Sequence, residues 1–289
     1  MSELSNPKVI QQIMKQHDFS VRKKYGQNFL VDANVLRSIV EAAEIGKDDL
    51  VLEIGPGLGA LTEQLLEAAW KVIAVEVDPM LIPILQENLK DHDNLVLIHD
   101  DILKVDLDAL LAKEGGGRKA KVVANLPYYI TTPIVMELLE KQQNIESITV
   151  MVQKEVAQRM QEGPGSKSYG ALSLSVRYYA KAEMMMTVSK HCFIPQPDVE
   201  SAVIRLDVYA EADRPVKTDQ EEEMFGLIRA AFNQRRKTLV NALSNAQNLP
   251  YTKEQILHAL SEMGKDAAVR GETFTLEEFA QLTELLKKR

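Results

Sequence analysis

Short apolar runs recur along the first half of the chain at 51–54, 71–77, 95–98, 122–124 and 148–152, and between them apolar residues fall at helical spacing, as at 60–69. Runs that are apolar on both faces suit parallel strands covered by helices on either side. A helical N-terminal segment followed by strand–helix units over 50–139 predicts an α/β, Rossmann-like doubly wound sheet. After a further strand at 202–208, residues 209–218 are rich in charge and include Pro215. From there the period turns helical, at 224–231, 236–243, 253–263 and 276–286. Two domains are expected, 1–210 and a small helical domain over 211–289. Met184-Met185-Met186 reads as the interior of an apolar strand. The stretch 163–168 is a connection that either folds over substrate or serves as a plain linker.

The ends of the strands carry the chemistry. Val51-Leu52-Glu53-Ile54 runs into Gly55-Pro56-Gly57-Leu58-Gly59 and then a helix, a nucleotide-type βα turn. Its G-x-G-x-G spacing is not the G-x-G-x-x-G of dinucleotide sites, and no Gly-Lys-Ser/Thr follows, which disfavours both NAD and ATP. Glu76 closes the second strand 21 positions after Gly55 (76 − 55), the offset at which an acid reaches ribose hydroxyls. The third strand ends in Asp100-Asp101, carboxylates suited to the amine hydrogens of a cofactor adenine. The fourth closes on Asn125-Leu126-Pro127-Tyr128. There the Asn125 side-chain oxygen and a backbone carbonyl offer two acceptors for an exocyclic amine, while the Tyr128 ring offers a stacking face. Pro127 favours an extended residue before it and provides no N–H of its own.

Each motif also has a plainer reading: a helix N-cap for Asn125, a solvated strand end for Glu76, a cap pair for the aspartates. Four successive strand ends carrying glycine loop, acid, acid and Asn-Leu-Pro-Tyr point together to S-adenosylmethionine and methyl transfer to an amine.

Composition narrows the setting. The single Cys192 excludes a disulfide framework, and the five histidines show no metal-ligand spacing, so no metal and a reducing compartment are expected. Neither a secretory leader nor a membrane-spanning run is apparent, which makes the cytoplasm the expected location. A formal charge of −8 runs against the basic footprint of an RNA-binding protein. Basic character must then be local. Arg22-Lys23-Lys24 and Arg235-Arg236-Lys237, the latter on an expected helix, are the candidate RNA contacts, with a solvated charged face as the alternative.

The motifs Lys24-Tyr25-Gly26-Gln27-Asn28-Phe29-Leu30, Glu53 to Gly59, Glu76-Val77-Asp78, Asp100-Asp101, Asn125 to Tyr128, Phe193 to Ser201 and Arg235-Arg236-Lys237-Thr238-Leu239 occur in one order over nearly the whole chain. In this the chain resembles the small-subunit rRNA adenine dimethyltransferases, which belong with the Erm enzymes to one class of RNA adenine N6-methyltransferases. The resemblance implies that Asn28 and Leu30 border the cofactor, that Gly55 and Gly57 approach it, Gly55 at its methionine end, and that Glu76 holds the ribose and Asp101 meets the adenine. Asn125, Leu126, Pro127 and Tyr128 would form the catalytic motif, with Asn125 and Leu126 orienting the target amine and Asn125 also touching the cofactor, and Phe193 would wall the flipped base. The implied substrate is a pair of adjacent adenosines in the 3′-terminal hairpin of 16S rRNA within the immature small subunit, each receiving two methyl groups from a monomeric enzyme. Its 211–289 domain would contact RNA.

Three alternatives stay open at this point. An Erm-type enzyme acting on 23S rRNA and conferring antibiotic resistance shares the catalytic motifs, although the Leu of Asn-Leu-Pro-Tyr and the Phe232-Asn233-Gln234-Arg235 stretch resemble the small-subunit group. A fold relative acting mainly as an RNA-binding assembly factor is the second, and a nicotinamide oxidoreductase, disfavoured by the glycine spacing, is the third.

Overall fold

The structure is a computed structural model and describes residues 3–141 and 144–288. It divides into two compact units, one running up to Ala157 and including Ala182–Val208, the other formed by Gln158–Lys181 and the chain from Tyr209 onward.

In the first unit, α1 (Pro7–Gln16), β1 (Phe29–Leu30) and α2 (Ala33–Ala42) precede the sheet. The strand–helix series follows: β2 (Leu50–Ile54), α3 (Ala60–Ala68), β3 (Lys71–Glu76), α4 (Leu81–Asn88), β4 (Leu95–His99), α5 (Leu107–Glu114), β5 (Ala120–Asn125), α6 (Thr131–Lys141) and β6 (Ile145–Gln153). After the excursion into the second unit come β7 (Ala180–Val188), the two-residue β8 (Phe193–Ile194) and β9 (Ser201–Val208). The large sheet has the order β4-β3-β2-β5-β6-β9-β7. Its first five strands are parallel and β9 is antiparallel to β6.

β2 and β5 are apolar on both faces except for Glu53, Lys121 and the terminal Asn125, and they pair at the centre, Leu50 opposite Ala120 through Ile54 opposite Ala124. From β2 the chain winds outward to β3 and β4, then restarts at β5 and winds the other way. The order reverses between β2 and β5, and a ligand crevice opens beyond the carboxyl ends of strands at such a reversal. The glycine loop and Asn-Leu-Pro-Tyr stand at those two ends.

β7, which carries the three consecutive methionines, is an edge strand with alternating burial, and Met185 is exposed. An interior position was expected. The apolar triplet itself suggested burial, but one face of an edge strand reaches solvent whatever its composition.

The second unit contains α8 (Ala171–Tyr179), α9 (Glu221–Asn233), α10 (Leu239–Ser244), α11 (Lys253–Glu262) and α12 (Leu276–Lys287), while α7 (Lys154–Gln161) runs into it from β6. Segment 158–181, inside the expected 1–210 domain, packs here because its polar and aromatic groups find partners far along the chain. Glu221 accepts from the hydroxyls of Tyr178 and Tyr179 and pairs with Arg214, and the Tyr179 ring stacks on Phe225. The Tyr169 hydroxyl donates to the Phe274 carbonyl at 2.9 Å. Within 163–168, the Gly165 amide donates to the Glu272 carbonyl at 2.9 Å and Arg235 donates to the Ser166 carbonyl at 3.0 Å. That loop is fastened to the second unit rather than left as a free connection.

Candidate active site

A cavity of about 310 Å³ opens at the reversal point of the sheet, lined by the 24–30 segment, the glycine loop, the end of β3, Asp100 to Ile102 and Asn125 to Ile130. Its size lies within the range of small-molecule sites. Asn28, Leu30, Gly55, Gly57, Glu76, Asp101, Asn125, Leu126, Pro127 and Tyr128 are all brought together on its walls.

Gly55 and Gly57 adopt φ of +70° and +61°, a region that favours glycine. A Cβ on Gly57 would stand 3.2 Å from the Phe29 ring, whereas one on Gly55 would meet nothing within 4 Å. Gly55 thus leaves a ligand-sized approach to its backbone. Beneath the loop, the Glu76 carboxylate accepts from the amides of Gly57 at 3.3 Å and Asp78 at 2.8 Å. Burial pushes its pKa up and those two amides oppose the shift. The loop and the acid are therefore one unit.

Asn125 donates through Nδ2 to the Asn28 carbonyl at 3.0 Å. That bond fixes the amide and leaves Oδ1 as its free acceptor. The Leu126 amide donates to the Met151 carbonyl at 3.1 Å, extending the β5–β6 pairing by one residue, and no described residue donates to the Leu126 carbonyl. The N-cap reading fails on position, because α6 begins at Thr131, whose hydroxyl donates to the Pro127 carbonyl at 3.1 Å. Tyr128 is half-buried, and its hydroxyl shares a 2.6 Å hydrogen bond with Ser201 at the start of β9. Asp101 lines the cavity while one of its oxygens accepts from the Leu103 amide at 3.1 Å, so part of the turn-cap reading holds as well.

Other expected residues go elsewhere. Phe193 is not among the cavity-lining residues. It pairs with Leu30 in the β1–β8 ladder, and its ring is buried in the apolar cluster that includes Phe29 and Leu36. Arg22 is committed to Asp78 at 3.3 Å, and Arg235 to Glu272 at 2.8 Å. Both guanidinium groups are only partly withdrawn from water, and each already has a protein carboxylate as partner. Arg236 and Lys237 are exposed but sit in the turn before α10 instead of on it, because Thr238 is the N-cap of that helix. Lys24 is exposed, with its ammonium 4.3 Å over the Tyr25 ring. The Lys23 side chain lies outside the described part of the structure.

Sequence reasoning missed two features. The first is Asp78, fully buried, which takes hydrogen bonds from Arg22, from Gln27 Nε2 at 2.9 Å and from the Met80 amide at 3.1 Å. It straps segment 22–30, and with it the Asn28 carbonyl, to the end of β3. Gln27→Ala is expected to cost about 1–2 kcal/mol by leaving a buried carboxylate one bond short. It should also speed hydrogen exchange at the amides of 22–30, and unchanged protection would show that the strap is held by other contacts.

The second is Glu53, a carboxyl at 1 % exposure in the middle of the sheet, one of whose oxygens has no hydrogen-bond partner. Burial pushes its pKa up to about 8, with the nearby Glu76 charge adding to the effect. A lone acid inside an otherwise apolar strand was the signal available. Between the ordinary carboxylate value and about pH 8 the unfolded chain is ionised at this position while the folded one is not, so stability falls as pH rises through that window and levels off above it. Glu53→Gln should remove this slope. Urea unfolding of the cofactor-free protein at about pH 5 and about pH 8.5 should show the variant gaining on the wild type at the higher pH. A constant difference would rule out the shift.

A sequence profile described as ribosomal RNA adenine dimethylase matches residues 18–287. The chain belongs to this family. Within the rRNA adenine dimethylase family it is 53 % identical, over all of its own length and 99 % of the relative's, to a protein of Lachnoclostridium phytofermentans named ribosomal RNA small subunit methyltransferase A. Among solved structures, a dimethyladenosine transferase from Plasmodium falciparum superposes with a TM-score of 0.72 at 26 % identity, covering 90 % of this chain and 98 % of the other. The 23S rRNA methyltransferase ErmE superposes with a TM-score of 0.65 at 27 % identity, covering 90 % and 100 %. Other full-length relatives of this dimethylase, at 46–49 % identity, carry the small-subunit name as well. That naming favours the small-subunit branch over the Erm branch.

Proposed function

We propose that this protein transfers methyl groups from S-adenosylmethionine to N6 of two adjacent adenosines in the 3′-terminal hairpin of 16S rRNA, giving N6,N6-dimethyladenosine in the immature small subunit. It acts in the cytoplasm as a monomer. The observation that carries the reading is the Nδ2 bond from Asn125 to the Asn28 carbonyl, which leaves the Asn125 amide oxygen as an acceptor in a residue that, like Leu126, lines the cavity.

When bound, S-adenosylmethionine supplies a methyl group on a positively charged sulfur with a neutral leaving group. The glycine loop with Glu76 fits it: the Gly55 backbone is open to close approach and the carboxylate suits ribose hydroxyls. Asp101, which lines the same cavity, would accept from the adenine amine of the cofactor.

The target amine is a poor nucleophile because its lone pair is delocalised into the ring. Asn125 Oδ1 and the Leu126 carbonyl accept its two N–H bonds, turning nitrogen toward sp³ character and aiming the lone pair. Both acceptors are neutral and take no proton. The methylated nitrogen is strongly acidic and releases its proton without a side-chain base. Tyr128 stacks on the base, with its ring angle set by Ser201. Burial raises the Tyr128 pKa, which keeps the phenol neutral.

Extruding a base costs a few kcal/mol and stacking returns about 1–3 kcal/mol, so unpaired adenines are the favoured targets. After one transfer the nitrogen still has one N–H for an acceptor, and after two it has none, which favours release of the dimethyl product. Of the two basic clusters read from the sequence, Lys24, Arg236 and Lys237 are exposed and would face RNA phosphates. The test is to incubate the protein with labelled cofactor and immature small or large subunits and to locate the label by mass spectrometry. Dimethyladenosine in small-subunit rRNA is expected. Label in large-subunit rRNA, or monomethyladenosine as a stable end point under excess cofactor, contradicts the reading.

A further inference from the structure

We propose that the exposed ring of Tyr129 is a stacking platform for the base next to the one drawn into the cavity. This rests on the adenine-methylating function above and adds a second base contact to it.

Tyr129 is 60 % exposed, and with Val77 it is one of two large, exposed apolar side chains that border the cavity among the described residues. A scattered exposed aromatic carries no meaning alone. This one is held in place: its Cδ1 and Cε1 atoms lie 3.0 and 3.2 Å from where a Cβ on Gly26 would stand, and Gly26 has φ of +60°. A side chain at position 26 would push the ring away, so the glycine provides its seat. One edge is fixed against backbone while most of the ring stays open.

The surroundings suit RNA. Tyr25 lies on the same rim, with the Lys24 ammonium 4.3 Å over its ring, which puts a cation near the path of the strand. The Tyr129 hydroxyl is held neutral, its pKa raised by partial burial and then by the nearby Asp101 carboxylate and Tyr25.

A nucleotide extruded from a stack remains covalently tied to its 5′ and 3′ neighbours, each of which loses a stacking partner. One bare face must therefore arrive near the mouth of any cavity that takes the extruded base. An aromatic ring fixed there replaces the lost partner, and such a contact is sequence-tolerant because every base offers a π face.

Equilibrium RNA binding and kcat/KM should be measured for wild type, Tyr129→Ala and Tyr129→Phe on a small-subunit rRNA hairpin, either intact or with an abasic nucleotide on one side or the other of the target. On intact RNA, Tyr129→Ala should bind and react about tenfold more weakly, within the range for one base stack. Tyr129→Phe should match wild type, and cofactor affinity should not change. With the abasic nucleotide on one particular side, wild type and Tyr129→Ala should become equal. The proposal is overturned if Tyr129→Ala equals wild type on intact RNA, or if its defect persists on both abasic substrates. Methyl incorporation by the wild type into intact RNA tests the underlying function separately, since it does not depend on Tyr129.

Discussion

Asn125→Ala is expected to lower turnover by about two to three orders of magnitude, the loss seen when one preorganised polar group is removed from a reacting centre. Cofactor affinity should stay within about twofold if, as proposed, Asn125 acts on the target amine rather than on the ribose or adenine of the cofactor. Two effects combine in the variant. The amine loses an acceptor, and the Asn28 carbonyl loses the donor that ties the 22–30 strap to the end of β5. Asn125→Asp separates them: it has no N–H to offer Asn28, so it should also be slow although an acceptor oxygen is retained. Single-turnover rates with saturating cofactor give the answer. A folded Asn125→Ala protein with near wild-type turnover would remove this residue from the mechanism.

Glu76→Ala has the second large effect, on binding. Its carboxylate accepts from the Gly57 and Asp78 amides, so truncation takes away the proposed ribose ligand and also frees two backbone N–H groups beneath the glycine loop. Charge-assisted hydrogen bonds contribute about 1.5–3 kcal/mol each, so cofactor affinity should fall about 100-fold or more. Glu76→Gln keeps a neutral acceptor and should fall between the two. Because burial raises this pKa, affinity should also weaken as pH drops and the acid protonates. Titration calorimetry of the wild type and both variants checks these statements. An unchanged dissociation constant in Glu76→Ala would place the ribose elsewhere.

The sheet was legible because its signals are local and repeated: apolar runs, a glycine turn at 55–59, and acids at the strand ends. Gly55, Glu76 and Asn125 meet at one edge because parallel strands all point the same way, so chain order alone placed their loops together. What stayed hidden depends on partners distant in sequence. Nothing around Asp78 announces that Arg22 and Gln27 will reach it across more than 50 positions. Arg235 reads as a free cation until Glu272 and Ser166 are seen beside it. Phe193, an aromatic next to a proline-rich stretch, gave no sign of which side of the β1–β8 ladder its ring would take. The placement of 158–181 was equally illegible, since its aromatic clasp with Glu221 and Phe225 forms only once the chain has returned beyond residue 209.

The most direct measurement is a crystal structure of the protein with an unreactive analogue of S-adenosylmethionine and an adenosine. The adenosine N6 should lie about 3 Å from both Asn125 Oδ1 and the Leu126 carbonyl oxygen, with Glu76 on the analogue's ribose. An Asn125 amide turned away from the nucleoside, or an analogue seated anywhere but against the glycine loop, would contradict the account.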